Sequence, residues 1–99
     1  MSRQLRWTEQ AVQQLAAIAD HISLSSPVYA DQVVERIDAR LQQAVAFPDS
    51  GGMVRESPSP DLRQLIERPY RIIYRPSEDS IDVIAVIHGR QDARGINLG

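Results

Sequence analysis

The sequence predicts an α+β domain in which an N-terminal antiparallel helical hairpin packs on one face of a small, mainly antiparallel sheet. In the first half of the chain, apolar residues recur at the spacing of a helical face, whereas the second half holds short stretches rich in β-branched residues. Segregated helices followed by consecutive strands are typical of the α+β class. With 99 residues and 42% hydrophobic content, we expect a single domain over residues 1–99.

Two helices are predicted after a short edge strand at residues 4–7. Thr8 is suited to cap a helix over residues 9 to about 24, because its hydroxyl can accept a hydrogen bond from the first turn. Ser26 is suited to cap a second helix over residues 27 to about 46, which has proline at its first position, where a missing N–H costs nothing. Two helices joined by so short a link must lie antiparallel.

The second half of the chain predicts three or four strands. Two prolines make residues 57–61 a loop, since proline cannot donate a hydrogen bond inside a sheet. After His88 the chain is polar, and residues 96–99 are expected to be a loose tail or a short extra element. The predicted strands are residues 53–56, 62–68, 70–75 and 81–88, of which the last two form a hairpin.

Period-2 alternation assigns the side chains of this hairpin to two faces of the sheet. Tyr70, Ile72 and Tyr74 share one face, which we expect to pack against the helices. In the last strand the same alternation groups Ile81, Val83, Ala85 and Ile87. The opposite face, predicted to be partly open and to carry any chemistry or partner contact, then holds Arg71, Arg75, Asp82 and His88. Asp82 and Arg75 can also simply pair across the strands.

Composition limits the classes of function. The net charge of −2 and the pI near 5.6 argue against strong direct binding to a nucleic-acid backbone. All 11 basic residues are arginine, the cation suited to forked contacts with carboxylate or phosphate. There is no cysteine, and the two histidines lack metal-ligand spacing, so no metal or cofactor is expected. No apolar run approaches the roughly 20 residues of a membrane span, so a cytoplasmic protein is expected.

An enzymatic interpretation rests on the predicted open face. Phosphodiester cleavage needs a base and cations that hold developing phosphate charge, and Glu56, Arg71 and His88 supply these groups. The competing interpretation is ordinary surface pairing of arginine and glutamate, which composition favours. We therefore expect a binding protein rather than an enzyme.

Five blocks of sequence follow one another in the second half of the chain. The blocks are Gly51-Gly52, Val54-Arg55-Glu56, Arg63-Gln64-Leu65, Tyr70-Arg71-Ile72-Ile73-Tyr74 and Val86-Ile87-His88-Gly89-Arg90. Their order and spacing resemble those of ParE toxins in the ParE/RelE superfamily, and the resemblance extends from about Leu5 to Arg94.

This resemblance implies a RelE/ParE-like fold and the toxin of a bacterial type II toxin–antitoxin pair of the plasmid-stabilization kind, neutralised by a ParD-like antitoxin. ParE-type members poison DNA gyrase, whereas RelE-type members cut messenger RNA on the ribosome. The chain lacks the basic cluster of the cutting branch, and Gly89 follows His88 where that branch carries an aromatic or basic residue. Gyrase inhibition is therefore preferred. The alternatives are a ribosome-dependent endoribonuclease and an interaction module that has lost toxicity.

Candidate site residues follow from the open face, the helical pair and the resemblance. No catalytic residue is assigned, but a nuclease would use Glu56, Arg71 and His88. The candidates for binding the target are Arg63, Arg71, Arg75, His88 and Arg90. The candidates for binding the antitoxin are Val12, Leu15, Val33, Ile37, Arg55 and Arg63.

Overall fold

The computed structural model describes residues 3–57 and 59–98. Its five strands form one sheet in the order β1-β5-β4-β3-β2, and two helices precede the last four strands. The predicted α+β class is therefore confirmed. The elements are β1 (Gln4–Trp7), α1 (Glu9–Ser23), α2 (Pro27–Ala46), β2 (Gly52–Met53), β3 (Arg63–Glu67), β4 (Tyr70–Pro76), β5 (Ser80–His88) and a short 3-10 helix (Ala93–Gly95).

Both helices begin where the predicted caps lie. The Thr8 hydroxyl accepts a hydrogen bond from the Ala11 amide at 3.2 Å, and the Ser26 hydroxyl accepts one from the Tyr29 amide at 3.1 Å. Each bond satisfies one of the amide groups that a helix N-terminus leaves without a partner. The predicted helix bounds are confirmed to within about one residue.

The sheet is mixed. β1 is an edge strand that runs parallel to β5, whereas the other described pairs are antiparallel. The strand predicted over residues 53–56 is shorter than expected, because the chain turns after Met53 and buries Val54 beneath the sheet. In the predicted loop at residues 57–61, Pro58 lies outside the described residues, and the other four form no strand.

Apolar side chains fill both faces of the sheet. The core on the helix side includes Ile37, Leu41, Ile72 and Tyr74. The opposite face was predicted to be partly open, and this is wrong for most of its area, because the chain folds back over it after His88. The second core there consists of Val54, Leu62, Ile73, Ile84, Ala85, Ile87 and Ala93, with Ile96 and Leu98 packed against it.

A β-bulge in β5 changes the predicted assignment of faces. Ile73 pairs with Ala85 but Tyr74 pairs with Val83, so Ile84 has no partner in β4. Because one extra residue shifts the alternation by one position, the side chains after it exchange faces. The bulge explains why Ala85 does not share the face of Val83.

The bulge also moves His88. It pairs with Tyr70 and lies on the Tyr70 side of the sheet, not beside Arg71 as predicted. Asp82 does lie opposite Arg75, but its close partner is Arg6 of β1, whose Nε donates to Asp82 Oδ1 at 2.9 Å. This hydrogen bond lowers the pKa of Asp82 below its ordinary value.

Candidate functional site

Four arginines, three of them exposed, line a hollow at the end of the sheet where β3 turns into β4 and β5 ends. The hollow has a volume of about 490 Å³ and is open to solvent. Tyr70 and His88 lie at its side, with their ring centroids 6.4 Å apart and their planes nearly perpendicular. We call it the arginine hollow, defined by the cations that line it: Arg55, Arg68, Arg71 and Arg90.

A buried ion pair lies at the base of the arginine hollow. Arg71 donates from Nη1 to Glu56 Oε1 at 2.9 Å and from Nη2 to Glu56 Oε2 at 2.5 Å. The side chains are only 3% and 6% exposed. Nη1 also donates to Gln64 Oε1, and Nη2 to the carbonyl of Gln91, so four hydrogen bonds to three residues hold the guanidinium. Arg71 is therefore not on an open face as predicted.

The pair fixes the charge state of Glu56. Hydrogen bonds from Arg71, and a further one from the Ala93 amide at 3.0 Å, lower the pKa of Glu56 to about 2. A carboxylate with so low a pKa is a poor general base near neutral pH. Glu56 and Arg71 meet as the nuclease hypothesis requires, but they bond to each other and to the surrounding chain.

The third nuclease candidate does not complete a catalytic set. The His88 side chain is exposed, its ring contacts Tyr70, and its Nδ1 accepts a hydrogen bond from the Arg90 amide at 3.2 Å. It lies on the other face of the sheet from Glu56 and Arg71.

The predicted target-binding residues are dispersed. Arg71, His88 and Arg90 line the arginine hollow. Arg63 lies elsewhere, on the helix side of the sheet, where it donates to the carbonyls of Asp49 and Gly51. Arg75 is half-buried and donates to the Leu98 carbonyl at 3.1 Å. Two of the five candidates therefore secure neighbouring segments and do not belong to the arginine hollow.

Sequence reasoning missed Arg68, and it assigned Arg55 to another site. Arg68 lies in the turn between β3 and β4, and the Gly89 amide donates to the Pro69 carbonyl at 2.6 Å, which brings this turn beside the end of β5. No periodicity marks such a contact, because it joins two loops. The sequence signal for this site is that Arg55, Arg68 and Arg90 each lie among turn-forming residues.

An apolar groove lies on the helix side, with a volume of about 410 Å³. It includes the predicted antitoxin contacts Val12, whose side chain is exposed, and Leu15. The other predicted apolar contacts, Val33 and Ile37, are buried in the helix-side core, whereas their α2 neighbour Val34 faces the groove. The residues that define the apolar groove are Trp7, Val12, Leu15, Ala16, Ala19 and Val34.

The described part of the chain shows neither a cluster of metal-binding side chains nor a membrane-spanning helix. Residues 3–57 and 59–98 contain no group of three or more histidine, aspartate or glutamate side chains placed to hold a metal ion. Within the same ranges, neither helix has the length and apolar character needed to cross a membrane.

Comparisons with known proteins agree on one family. A family model described as the ParE toxin of type II toxin-antitoxin system, parDE, matches residues 5–93. A solved structure described as the chromosomal ParDE TA system from P. aeruginosa superposes with a TM-score of 0.70 and 28% sequence identity. The superposition covers 87% of this chain and 95% of that one. A search of curated proteins found no match.

Proposed function

Because the chain belongs to the ParE toxin family of type II toxin–antitoxin systems, we propose that it inhibits DNA gyrase by binding and that a ParD-like antitoxin neutralises it. In this proposal residues 1–99 act as one ParE-like toxin domain in the cytoplasm, without a cofactor. The observation that carries the choice of inhibition over cleavage is the buried pair of Glu56 and Arg71.

Binding is favoured over messenger RNA cleavage by the state of the acid–base groups. A ribosome-dependent nuclease needs a group free to take a proton from the attacking hydroxyl. Glu56 accepts hydrogen bonds from both Arg71 and the Ala93 amide, and its pKa is about 2. Among the described residues, the exposed arginines Arg68 and Arg90 of the hollow have no such engagement with the core and are suited to contact a partner surface.

A supercoiling assay tests the proposed target. The purified chain should block supercoiling of relaxed plasmid by gyrase or trap cleaved DNA, while translated messenger RNA stays intact. The double variant Arg68→Ala/Arg90→Ala should raise the inhibitory concentration about tenfold, because it removes two charge-assisted contacts. The double variant Arg3→Ala/Arg36→Ala also removes two positive charges but lies outside the hollow, so it is the matched control and should leave inhibition unchanged.

The opposite pattern would overturn the proposal. Codon-phased cleavage of translated messages, with supercoiling untouched, would identify the chain as an endoribonuclease. Absence of both activities, with antitoxin binding retained, would identify an interaction module.

The apolar groove is the proposed docking site for the antitoxin. Its side chains are apolar and accessible, and Val12 is 51% exposed, so an amphipathic helix with an apolar stripe is the segment that fits. The family supports this partner, since the similar solved structure is a ParDE system. Such a segment would fold as it binds.

A pair of matched valine variants tests this docking. Val12→Asp places a carboxylate in the apolar contact and should weaken antitoxin binding by at least tenfold in calorimetry. Val28→Asp is the control, because Val28 is 67% exposed and lies outside the groove. Both variants should keep the wild-type melting temperature. Equal affinities for the two variants would rule out the groove as the antitoxin site.

A further inference from the structure

We propose that the arginine hollow binds the phosphodiester backbone of DNA, so that the toxin contacts the DNA held by its target as well as the target protein. This inference rests on the proposed function for its biological setting. The binding itself is a property of the chain alone and is tested without gyrase.

The first observation is a local excess of positive charge. The whole chain has a net charge of −2, yet four arginines line this hollow, and the nearest carboxylate is that of Glu56, which lies beneath it and pairs with Arg71. Arg71 and Arg55 both approach Glu56, at 2.5 Å and 3.9 Å. The nearby Asp92 is occupied by Arg94 at 2.6 Å, so it does not neutralise the hollow. The hollow therefore carries about three uncompensated charges, the electrostatic footprint of an anion site.

The second observation is that two of these cations have unused hydrogen-bond donors. Within residues 3–57 and 59–98, the guanidinium groups of Arg68 and Arg90 make no hydrogen bond or ion pair, and both residues are exposed. A guanidinium presents five N–H donors in a planar fork that matches the oxygens of phosphate. The exposed guanidinium groups of Arg68 and Arg90, at the rim of the open hollow, can therefore bind a ligand that lies across it.

The third observation favours nucleic acid over an acidic peptide. Tyr70 and His88 place two rings beside the arginines, where the sugars of a DNA strand have a surface to contact while its phosphates meet the cations. A peptide that binds tightly needs an apolar anchor pocket. Of the two hollows described above, the groove on the helix side, between β1 and the helices, is the more apolar.

The number of cations sets the strength of the interaction. Displacing counterions from about three phosphates gives a slope of roughly −3 in a plot of log affinity against log salt. The acidic remainder of the chain opposes binding, so we expect weak affinity that is measurable at low salt. This agrees with the expectation that the chain is not a strong nucleic-acid binder by itself.

Fluorescence anisotropy with a labelled 20-base-pair DNA duplex at 25 mM salt tests the proposal. The double variant Arg68→Gln/Arg90→Gln should bind at least tenfold more weakly than the wild type and reduce the salt slope by about 2. The control Arg3→Gln/Arg36→Gln changes the net charge by the same amount outside the hollow, and it should weaken binding less than twofold.

Several outcomes would overturn the proposal. These are equal losses in the two double variants, no duplex binding at 25 mM salt, and a polyglutamate peptide of matched charge that binds as tightly as DNA. Tighter binding of single-stranded RNA than of the duplex would overturn the assignment to DNA.

Failure of this site and failure of the proposed function are distinguishable. DNA binding through Arg68 and Arg90 by a chain that leaves supercoiling untouched would support the site and reject gyrase as the target. Full inhibition of gyrase by the Arg68→Gln/Arg90→Gln variant would retain the target and reject a role for the hollow.

Discussion

Glu56 and Arg71 form an ion pair that water barely reaches, and it connects separate parts of the chain. Glu56 follows β2, Arg71 belongs to β4, and the pair also bonds to Gln91 and Ala93 beyond β5. A buried pair contributes little compared with an apolar pair of the same shape, but removing one partner leaves an uncompensated charge. Replacing one of the two residues should therefore lower the free energy of unfolding by more than the intact pair adds to it.

Glu56→Gln should destabilise the protein by about 3 kcal/mol near neutral pH, measured by urea unfolding. Because folding lowers the pKa of Glu56 to about 2, the carboxylate stabilises the fold fully above its unfolded pKa of about 4.5, and this contribution is lost as pH falls toward 2. The difference between wild type and variant should shrink across that window. Glu78→Gln, in the exposed β4–β5 turn, is the control and should change stability by less than about 0.5 kcal/mol. If the difference in unfolding free energy between wild type and Glu56→Gln stayed constant from pH 7 to pH 2, the charge of Glu56 would not contribute to stability.

Single residues were predicted well only where neighbours in sequence decide their surroundings. Thr8 and Ser26 were recognised as caps because a cap acts within three residues. His88 was assigned to the wrong face, since Ile84 belongs to a continuous apolar run that fits either phase of alternation and hides the bulge. Val33 is predicted as an exposed contact but is buried, because the adjacent apolar residues Val33 and Val34 do not fix the direction in which the helical face points.

At the scale of elements, side chains of α1 bind the part of the β5 edge that β1 leaves unpaired. β1 pairs with β5 only from Ser80 to Val83. Beyond that point, Gln10 Nε2 donates to the Ile84 carbonyl at 2.8 Å, and Gln14 Oε1 accepts from the Val86 amide at 2.9 Å. A helix that supplies side chains to a strand edge satisfies the backbone and covers it against unwanted pairing.

Gln14→Ala should therefore cost about 1 to 2 kcal/mol in thermal unfolding, because it leaves the Val86 amide without its partner. The same variant should speed hydrogen exchange at that amide. Gln13→Ala is the matched control, since Gln13 bonds only to exposed Glu9 on its own helix, and it should cost less than about 0.5 kcal/mol. Equal effects of the two substitutions would mean that α1 does not support the edge of β5.

Helix bounds were predictable from the sequence because serine, threonine and proline mark them locally, whereas the sheet was predictable only in part. The β4–β5 hairpin was recognised from its β-branched and aromatic residues. The parallel pairing of β1 with β5 left no local signal, since its two strands are far apart in sequence. The arginine hollow was likewise hidden, because Arg55, Arg68 and Arg90 come from three separate turns.

The whole molecule has three layers: the helices, the sheet, and the segment after His88. Ala93, Ile96 and Leu98 of that segment cover the second core. Side chains from the other layers bind its backbone, since Arg75 donates to the Leu98 carbonyl and Gln10 to the Asn97 carbonyl. The polar sequence after β5 concealed this role, because only every second or third residue there is apolar.

Deletion of residues 93–99 should lower the free energy of unfolding by about 3 kcal/mol, since it exposes apolar side chains such as Ile73 and Ile84. The truncated chain should bind a hydrophobic dye that the intact protein does not bind. Arg94→Ala is the control, because exposed Arg94 bonds only to Asp92, and it should leave stability nearly unchanged. Full stability of the truncated chain would contradict the assignment of this segment to the core.

The pairing of β1 with β5 predicts that the strands join the sheet in a particular order during folding. Arg6 and Asp82 meet although they are 76 residues apart in sequence, so β1 joins only after the chain between them has been brought together. Closing so long a loop costs entropy that the β4–β5 hairpin, with its three-residue turn, does not incur. We therefore expect the helical hairpin and the antiparallel strands to assemble from near neighbours, and the N-terminal strand to add last.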